Sequence, residues 1–390
     1  MQSSSLDGGS QRLPISVLTG FLGSGKTTVL NHLIQQPLLS RTLVLINEFG
    51  ETGLDHDLVT ESADDVVIEM ASGCLCCTIR GDLAKALQEA PERFARGDEL
   101  GFDRVVIETT GLADPAPILH TLMTDPVVAR RYRLDGVIAT VDAVNGADTL
   151  DRQIESVKQA AFAERLLLTK ADLAGSNALN RLQDRLLALN PAAPQIITEK
   201  GAVDPALLFD AGLYNPKAKS LDVQNWLKAE AFAEPHSHDH GSAEHGDTHH
   251  HHHDVNRHDA RIKALCLTFD EPIYGDALDL WLEALLLLRG ADCLRIKGII
   301  NVIDFDGPVV IHGVQHIFHP AVMLKEWPSE DRRSRIVFIT RDIDDAVLRN
   351  TLKMFTGAEA LQQEALAVEP DDNRCHVEPS EHSRYEEAQQ

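Results

Sequence analysis

The sequence predicts an α/β domain built on a mostly parallel central sheet, followed by a smaller α+β domain. Three observations lead there. Between Leu13 and about Phe209, short apolar runs alternate with amphipathic stretches. Residues 234–258 then read EPHSHDHGSAEHGDTHHHHHDVNRH, a low-complexity stretch that cannot build a core. Beyond it the strand-like runs cluster together, with helical stretches flanking rather than separating them. The expected organisation is a first domain over 12–233, a His-rich flexible linker over 234–258, a second domain over 259–358, and an acidic, disordered tail over 359–390.

In order, the first domain offers candidate strands at 15–20, 42–47, 66–69, 104–109, 136–142, 165–170 and 195–198. They are near-continuous Val/Ile/Leu runs, the composition of parallel strands buried on both faces. Between the first two lies Thr27–Gln36, a helix on which Leu30, Leu33 and Ile34 share a face. In the second domain the candidate strands are 262–269, 294–304, 308–318 and 335–340, with helices at Asp276–Leu288 and Asp344–Phe355.

The bulk properties narrow the function. A chain of 390 residues with 43% hydrophobic and 25% charged residues is long enough for two cores. A net charge of −24 argues against a nucleic-acid partner, which needs clustered Lys and Arg. No apolar run approaches a bilayer's thickness; the longest, Leu285–Leu288, lies between Glu283 and Arg289. The opening MQSSSLDGGSQRL has no secretory pattern, so a cytoplasmic protein without a membrane partner is expected. Of six cysteines, three crowd into Cys74, Cys76 and Cys77, which points to metal or redox chemistry over disulfides.

The first chemical motif is Gly20-Phe21-Leu22-Gly23-Ser24-Gly25-Lys26-Thr27, which matches G-x-x-x-x-G-K-[ST] between a strand and a helix. Glycines let such a loop wrap closely and turn its amides toward phosphate oxygens, and the helix N-terminus adds its positive end. Lys26 is expected to reach the β/γ oxygens, Thr27 to ligate Mg²⁺, and Gly20, Gly23, Ser24, Gly25 and Thr28 to complete the cradle. Glu108-Thr109-Thr110-Gly111 follows a later strand; Glu108 can orient Mg²⁺ through water, and the Gly111 amide can meet the γ-phosphate. Thr169-Lys170-Ala171-Asp172 ends another strand. The Asp172 carboxylate can accept from guanine N1–H and the 2-amino group, with the Lys170 stem over the base. The plainer alternative is a helix-capping turn.

The second motif is Gly73-Cys74-Leu75-Cys76-Cys77. Three thiols within four residues can converge on one soft ion such as Zn²⁺, leaving a fourth position open. Buried structural cysteines or a redox pair are the alternatives. Asn47-Glu48-Phe49-Gly50-Glu51 follows the second strand, and Glu48 or Glu51 can serve either metal or remain a solvated loop acid. The linker imidazoles, His236 to His258, suit Zn²⁺, Ni²⁺ or Co²⁺ and read as a metal-gathering arm, against an ordinary polar linker.

With GFLGSGKTT, NEFGETGLD, GCLCC, ETTGLADP and TKAD in this order, the chain resembles the CobW-type metallochaperone P-loop GTPases, over roughly residues 12–355. The resemblance extends to the family's C-terminal domain through YGDALDLWLEALLLLRGADCLRIKG, GVQHIFHPAVMLKEWP and RIVFIT. It implies a P-loop fold, GTP and Mg²⁺ as ligands, and a metal site at Cys74, Cys76 and Cys77 with the Glu51 carboxylate nearby. It also implies a client metalloprotein, and service to zinc homeostasis, cobalt supply or metalloenzyme activation. Thr169 stands where Ras-like GTPases carry Asn. No glutamine or arginine finger is evident, so slow intrinsic turnover is expected, quickened by a client or by a metal- or GTP-dependent dimer. Rival readings are a cobalt chaperone for cobalamin synthesis, a metal buffer with vestigial GTPase, and a small-molecule kinase.

Overall fold

The structure, a computed structural model, describes residues 12–47, 66–70, 78–97, 99–209, 261–303, 305–318, 321–327 and 330–358; of Asn47, 66–70 and 78–80 it describes the backbone alone. The expected linker and tail lie outside these residues. So do Glu48, Glu51, Cys74, Cys76 and Cys77.

The first domain runs β1 (Leu13–Gly20), α1 (Lys26–Ile34), β2 (Thr42–Asn47), β3 (Val66–Met70), α2 (Thr78–Arg93), β4 (Ala95–Arg96), β5 (Glu99–Leu100), β6 (Arg104–Thr109), α3 (Ala116–Thr124) and α4 (Pro126–Arg131). It continues through β7 (Tyr132–Asp142), α5 (Gly146–Arg152), α6 (Ile154–Phe162), β8 (Arg165–Thr169), α7 (Ser176–Leu189) and β9 (Gln195–Ile197). All seven apolar runs join one seven-stranded sheet, in the order β3-β2-β6-β1-β7-β8-β9, with every pairing parallel. The continuous apolar character has a direct cause. Ile15 and Val17, Leu43 and Leu45, Val105 and Ile107 face one buried layer. Leu18, Val44 and Val106, between or beside them, face the other, against Leu30 and Leu33 of α1. The small β4–β5 hairpin carries no apolar run and has no signal in the sequence beyond Gly97, which takes φ 65°.

The second domain runs β10 (Ile262–Phe269), α8 (Gly275–Arg289), β11 (Cys293–Ile300), β12 (Val309–Val314), β13 (Ile317–Phe318), β14 (Val322–Met323), β15 (Ser334–Arg341) and α9 (Asp345–Thr356). Its strands pair antiparallel in the order β10-β15-β11-β12-β13, with β14 also on β12. Trp281 of α8 is fully buried, edge-on to Phe338 of β15 at 6.0 Å, and its indole N–H donates to Thr351 of α9 at 3.1 Å. Two expected strands are shorter than read. The run over 294–304 stops at Ile300, and the run over 308–318 folds back at Gln315-His316 into β12 and β13. Gln315 takes φ 51°, a conformation usually left to Gly or Asn, so no turn residue marked the break.

The two domains share one core: Ile262, Leu294, Val314 and Ile339 pack into the same apolar cluster as Ile15 and Val137. At its margin Glu164, which ends the segment after α6, is fully buried. It accepts from the Val137 amide at 2.5 Å and meets Arg295 and, at 3.3 Å, Lys297, both on β11. Burial pushes the Glu164 carboxyl up, but Arg295, Lys297 and the Val137 amide together outweigh it and the net shift is downward. Burial drives the Lys297 ammonium down to about 7; Arg295 adds to this and Glu164 opposes it.

This yields a signed prediction. Between pH 7 and the ordinary lysine value of 10.5, the unfolded chain holds a proton on Lys297 that the folded chain lacks. Stability therefore rises with pH across that window, by up to about 1.4 kcal/mol per pH unit from this one group. Urea denaturation of wild type and Lys297→Met at several pH values should give a difference that grows with pH; a parallel pair of curves refutes the assignment.

Candidate functional site

Because every strand of the first sheet points the same way, the loops after β1, β6 and β8 leave from one edge. The central strand β1 lies between β6 and β7, the position where such sheets open a crevice. A cleft of about 350 Å³ sits there, lined among others by Gly23, Lys26, Thr27, Glu108, Gly111 and Lys170.

The loop from Gly20 to Gly25 is shaped by backbone that only glycine adopts readily: φ is 143° at Gly20, 69° at Gly23 and 90° at Gly25. Gly25 caps α1, whose first turn carries no acidic side chain, so its free amides present an undiluted positive end to the cleft. Beneath the loop, hydroxyls join the strand ends. Ser24 Oγ lies 2.6 Å from Thr140 Oγ1, and Thr109 donates to Thr19 at 2.8 Å. The Thr169 hydroxyl donates to the Ser24 carbonyl at 2.7 Å. Ser24 and Thr169, two residues expected at the nucleotide, thus have their side chains turned into the scaffold.

Lys26 is largely buried and its Nζ donates to the Gly20 carbonyl at 3.0 Å and the Phe21 carbonyl at 3.2 Å. Thr27 Oγ1 donates to Glu108 Oε1 at 3.0 Å, which joins the first turn of α1 to the end of β6. A hydroxyl and a carboxylate side by side are hard oxygen donors, the set that fits Mg²⁺ and disfavours a soft ion. Gly111 lies directly against Leu22: a Cβ there would stand 2.6 Å from the Leu22 amide nitrogen.

Toward the other end, Lys170 takes φ 56°, and its ammonium donates to the Gly23 carbonyl at 2.7 Å and to Asp142 Oδ2 at 2.8 Å. Burial pushes the Asp142 carboxyl up, yet Lys170 and the donors of Asn145 and Val144 prevail and lower it. Asp142 was not singled out from the sequence, although it ends a strand at the chemical edge. Asp172 lies beyond, exposed on the single turn Ala171–Leu173, and does not line the cleft. Thr110 was also passed over; it lines the cleft with its hydroxyl buried and unpartnered among the described residues.

The metal expectation rests on segments outside the described residues. Their anchor points are visible: β2 ends at Asn47 and β3 at Met70, both at the cleft's edge of the sheet, and α2 begins at Thr78. Among the described residues no group of three His, Cys, Asp or Glu side chains could hold an ion, and no helix is long and apolar enough to cross a membrane. The second domain's Cys266 and Cys293 are buried, and burial raises both thiols, Cys293 to about 12, which makes them inert.

Comparison with known proteins agrees with this arrangement. The model of the CobW/HypB/UreG nucleotide-binding domain matches residues 14–197, and that of the cobalamin synthesis protein cobW C-terminal domain matches 262–356. The zinc chaperone YjiA of Escherichia coli is 30% identical over 337 residues, covering 86% of this chain and 96% of its own. The zinc chaperone CobW of Pseudomonas aeruginosa is 30% identical over 373 residues, covering 88% and 91%. The crystal structure of the zinc(II)-bound YjiA GTPase from E. coli matches with a TM-score of 0.63 at 27% identity, over 88% of this chain and 99% of that one.

The tightest point of the cradle is Gly20. An added Cβ would stand 2.2 Å from Thr140 Oγ1 and 2.5 Å from the Thr140 carbonyl, on backbone already in the glycine region. Gly20→Ala is expected to cost about 1–3 kcal/mol from backbone strain alone, before the clash is counted. Chemical denaturation measures it; an unchanged midpoint would show that the loop relaxes freely.

Proposed function

From the premise that the chain belongs to the CobW family of P-loop GTPases, we propose that it is a GTP-hydrolysing metallochaperone. Its cargo is zinc, bound at Cys74, Cys76 and Cys77 and delivered to a client metalloprotein under control of the nucleotide. The observation that carries this reading is the meeting of Thr27 and Glu108 at 3.0 Å beside Lys26, in the cleft where β1 and β6 end.

The residues divide the work as follows. The amides of the Gly20–Gly25 loop and the N-terminus of α1 receive the phosphate oxygens. Lys26 exchanges the Gly20 and Phe21 carbonyls for the β/γ oxygens. Thr27 and Glu108 hold Mg²⁺, which when bound supplies neutralisation of the phosphate charge. The Gly111 amide follows the γ-phosphate, so its loop has one position with GTP and another with GDP. Lys170 packs against the base and Asp172 accepts its two donors.

Zinc as cargo is supported by the thiolate donor set and by the similarity to two bacterial zinc chaperones. The segments carrying Glu51 and the three cysteines follow β2 and β3 in the chain, and β2 pairs with both β3 and β6. Reciprocity follows: if GTP tightens zinc, zinc tightens GTP by the same factor.

Competitive titration with Zn²⁺ and Co²⁺, in the GTP-analogue and GDP states, tests the reading. Zinc should bind more tightly with the analogue, and the tight site should vanish in the Cys74/Cys76/Cys77→Ser variant. Equal affinity in both states would overturn the gating, and a cobalt preference would move the cargo. Base choice has its own check. Asp172→Asn should weaken GTP at least tenfold and favour xanthosine triphosphate, whose 2-oxo group accepts from the new amide; unchanged GTP binding would remove Asp172 from the base site.

A further inference from the structure

The loop that follows β6 is held from behind by two consecutive residues of α6. Gln159 is fully buried, and its side-chain amide donates to the Gly111 carbonyl at 3.1 Å and the Ala113 carbonyl at 3.0 Å. Lys158 pairs with Asp114 at 2.7 Å. Both ends of the 111–114 segment are thus tied to one turn of one helix.

The far end of that helix is tied to the second domain. Arg295 of β11 donates through one guanidinium nitrogen to the carbonyls of Phe162 and Ala163, and through the other to Glu164. Asn190, which caps α7, donates to the carbonyls of Ala160 and Ala163, each at 2.9 Å. Gln159 and Phe162 are three residues apart, so less than one helical turn separates the Arg295 contact from the loop contact. Buried bonds thus hold this last stretch of α6 to the Gly111 loop on one side and to β11 on the other.

Resting on the GTPase reading above, we propose that Gln159 is a positioning residue of the GTPase centre, and that Arg295 sets its register. The second domain thereby senses and biases the γ-phosphate loop. Gln159 does not touch nucleotide; it fixes where the Gly111 amide sits. Its loss affects the state in which Gly111 meets phosphate and spares the state in which it does not. A ligand or client held by the second domain's sheet has, through Arg295, a direct mechanical route to GTP turnover.

The test uses the full chain, with a fluorescent GDP, a non-hydrolysable GTP analogue and steady-state turnover. Gln159→Met should leave GDP affinity within about twofold while analogue affinity and kcat each fall about tenfold, the split expected when a γ-phosphate contact alone is lost. Lys158→Ala, which buries no unpaired group, should move the same quantities about threefold and decides the matter if Gln159→Met does not fold. Arg295→Lys keeps a positive charge but has one nitrogen in place of the fork that reaches the two carbonyls and Glu164 together. It should lower kcat alone, yet add nothing in the double variant with Gln159→Met. Proportional loss of GDP and analogue binding, or no change in either helix variant, overturns the positioning role. Additive effects of Gln159→Met and Arg295→Lys overturn the link to the second domain. Wild-type protein that fails to hydrolyse GTP would instead overturn the reading on which this rests.

Discussion

All strands of the first sheet point in one direction, and that constraint decides where chemistry can happen. A parallel sheet needs a crossover after each strand, so half of its connections emerge at the carboxyl edge, and the order β3-β2-β6-β1-β7-β8-β9 puts the central strand between partners reached in opposite directions. The glycine loop, the Glu108–Gly111 turn and the Lys170 turn come together for this reason alone. Side chains then fix the assembly: the hydroxyls of Thr19, Thr109, Thr140 and Thr169 bond across strand ends, buried or nearly so, where each bond is protected from competing water.

The contact between the two domains is built differently. An apolar cluster supplies most of the adhesion, whereas Glu164, Arg295 and Lys297 form a buried cluster carrying more positive than negative groups. Such a cluster is a poor source of net stability, since desolvation of its charged groups consumes most of the attraction. What it supplies is register. Arg295 reaches two adjacent carbonyls and a carboxylate with a planar fork, which ties one position of β11 to the end of α6.

Much of this was legible in the sequence, and the boundary of legibility has a physical basis. The seven parallel strands announced themselves through composition, because burial on two faces excludes polar residues regardless of partner. The glycine loop was legible because its backbone demands are local. Gln159, Asp142 and Arg295 were not, since each acts on residues 28 to 133 positions away, and nothing local distinguishes a glutamine facing carbonyls from one facing water. The second domain was misread in detail where the chain used a residue against its preference, at Gln315. The roles expected of Ser24 and Thr169 followed a motif, whereas their hydroxyls serve the scaffold beneath it. The cysteine motif and Glu51 lie outside the described residues, and their role stands as part of the proposal.

The shared core has a consequence for how the chain can be divided. Two family models match two separate stretches, which suggests modules that could be cut apart at the intervening histidines. Ile262, Leu294, Val314 and Ile339 contradict that picture, because they complete a cluster whose other members belong to the first sheet. Severed there, each fragment would carry a bare greasy face, one with a stranded guanidinium and the other with a stranded carboxylate. The molecule is two domains by topology that complete one core between them, and a truncation meant to isolate either half would leave that core open to water.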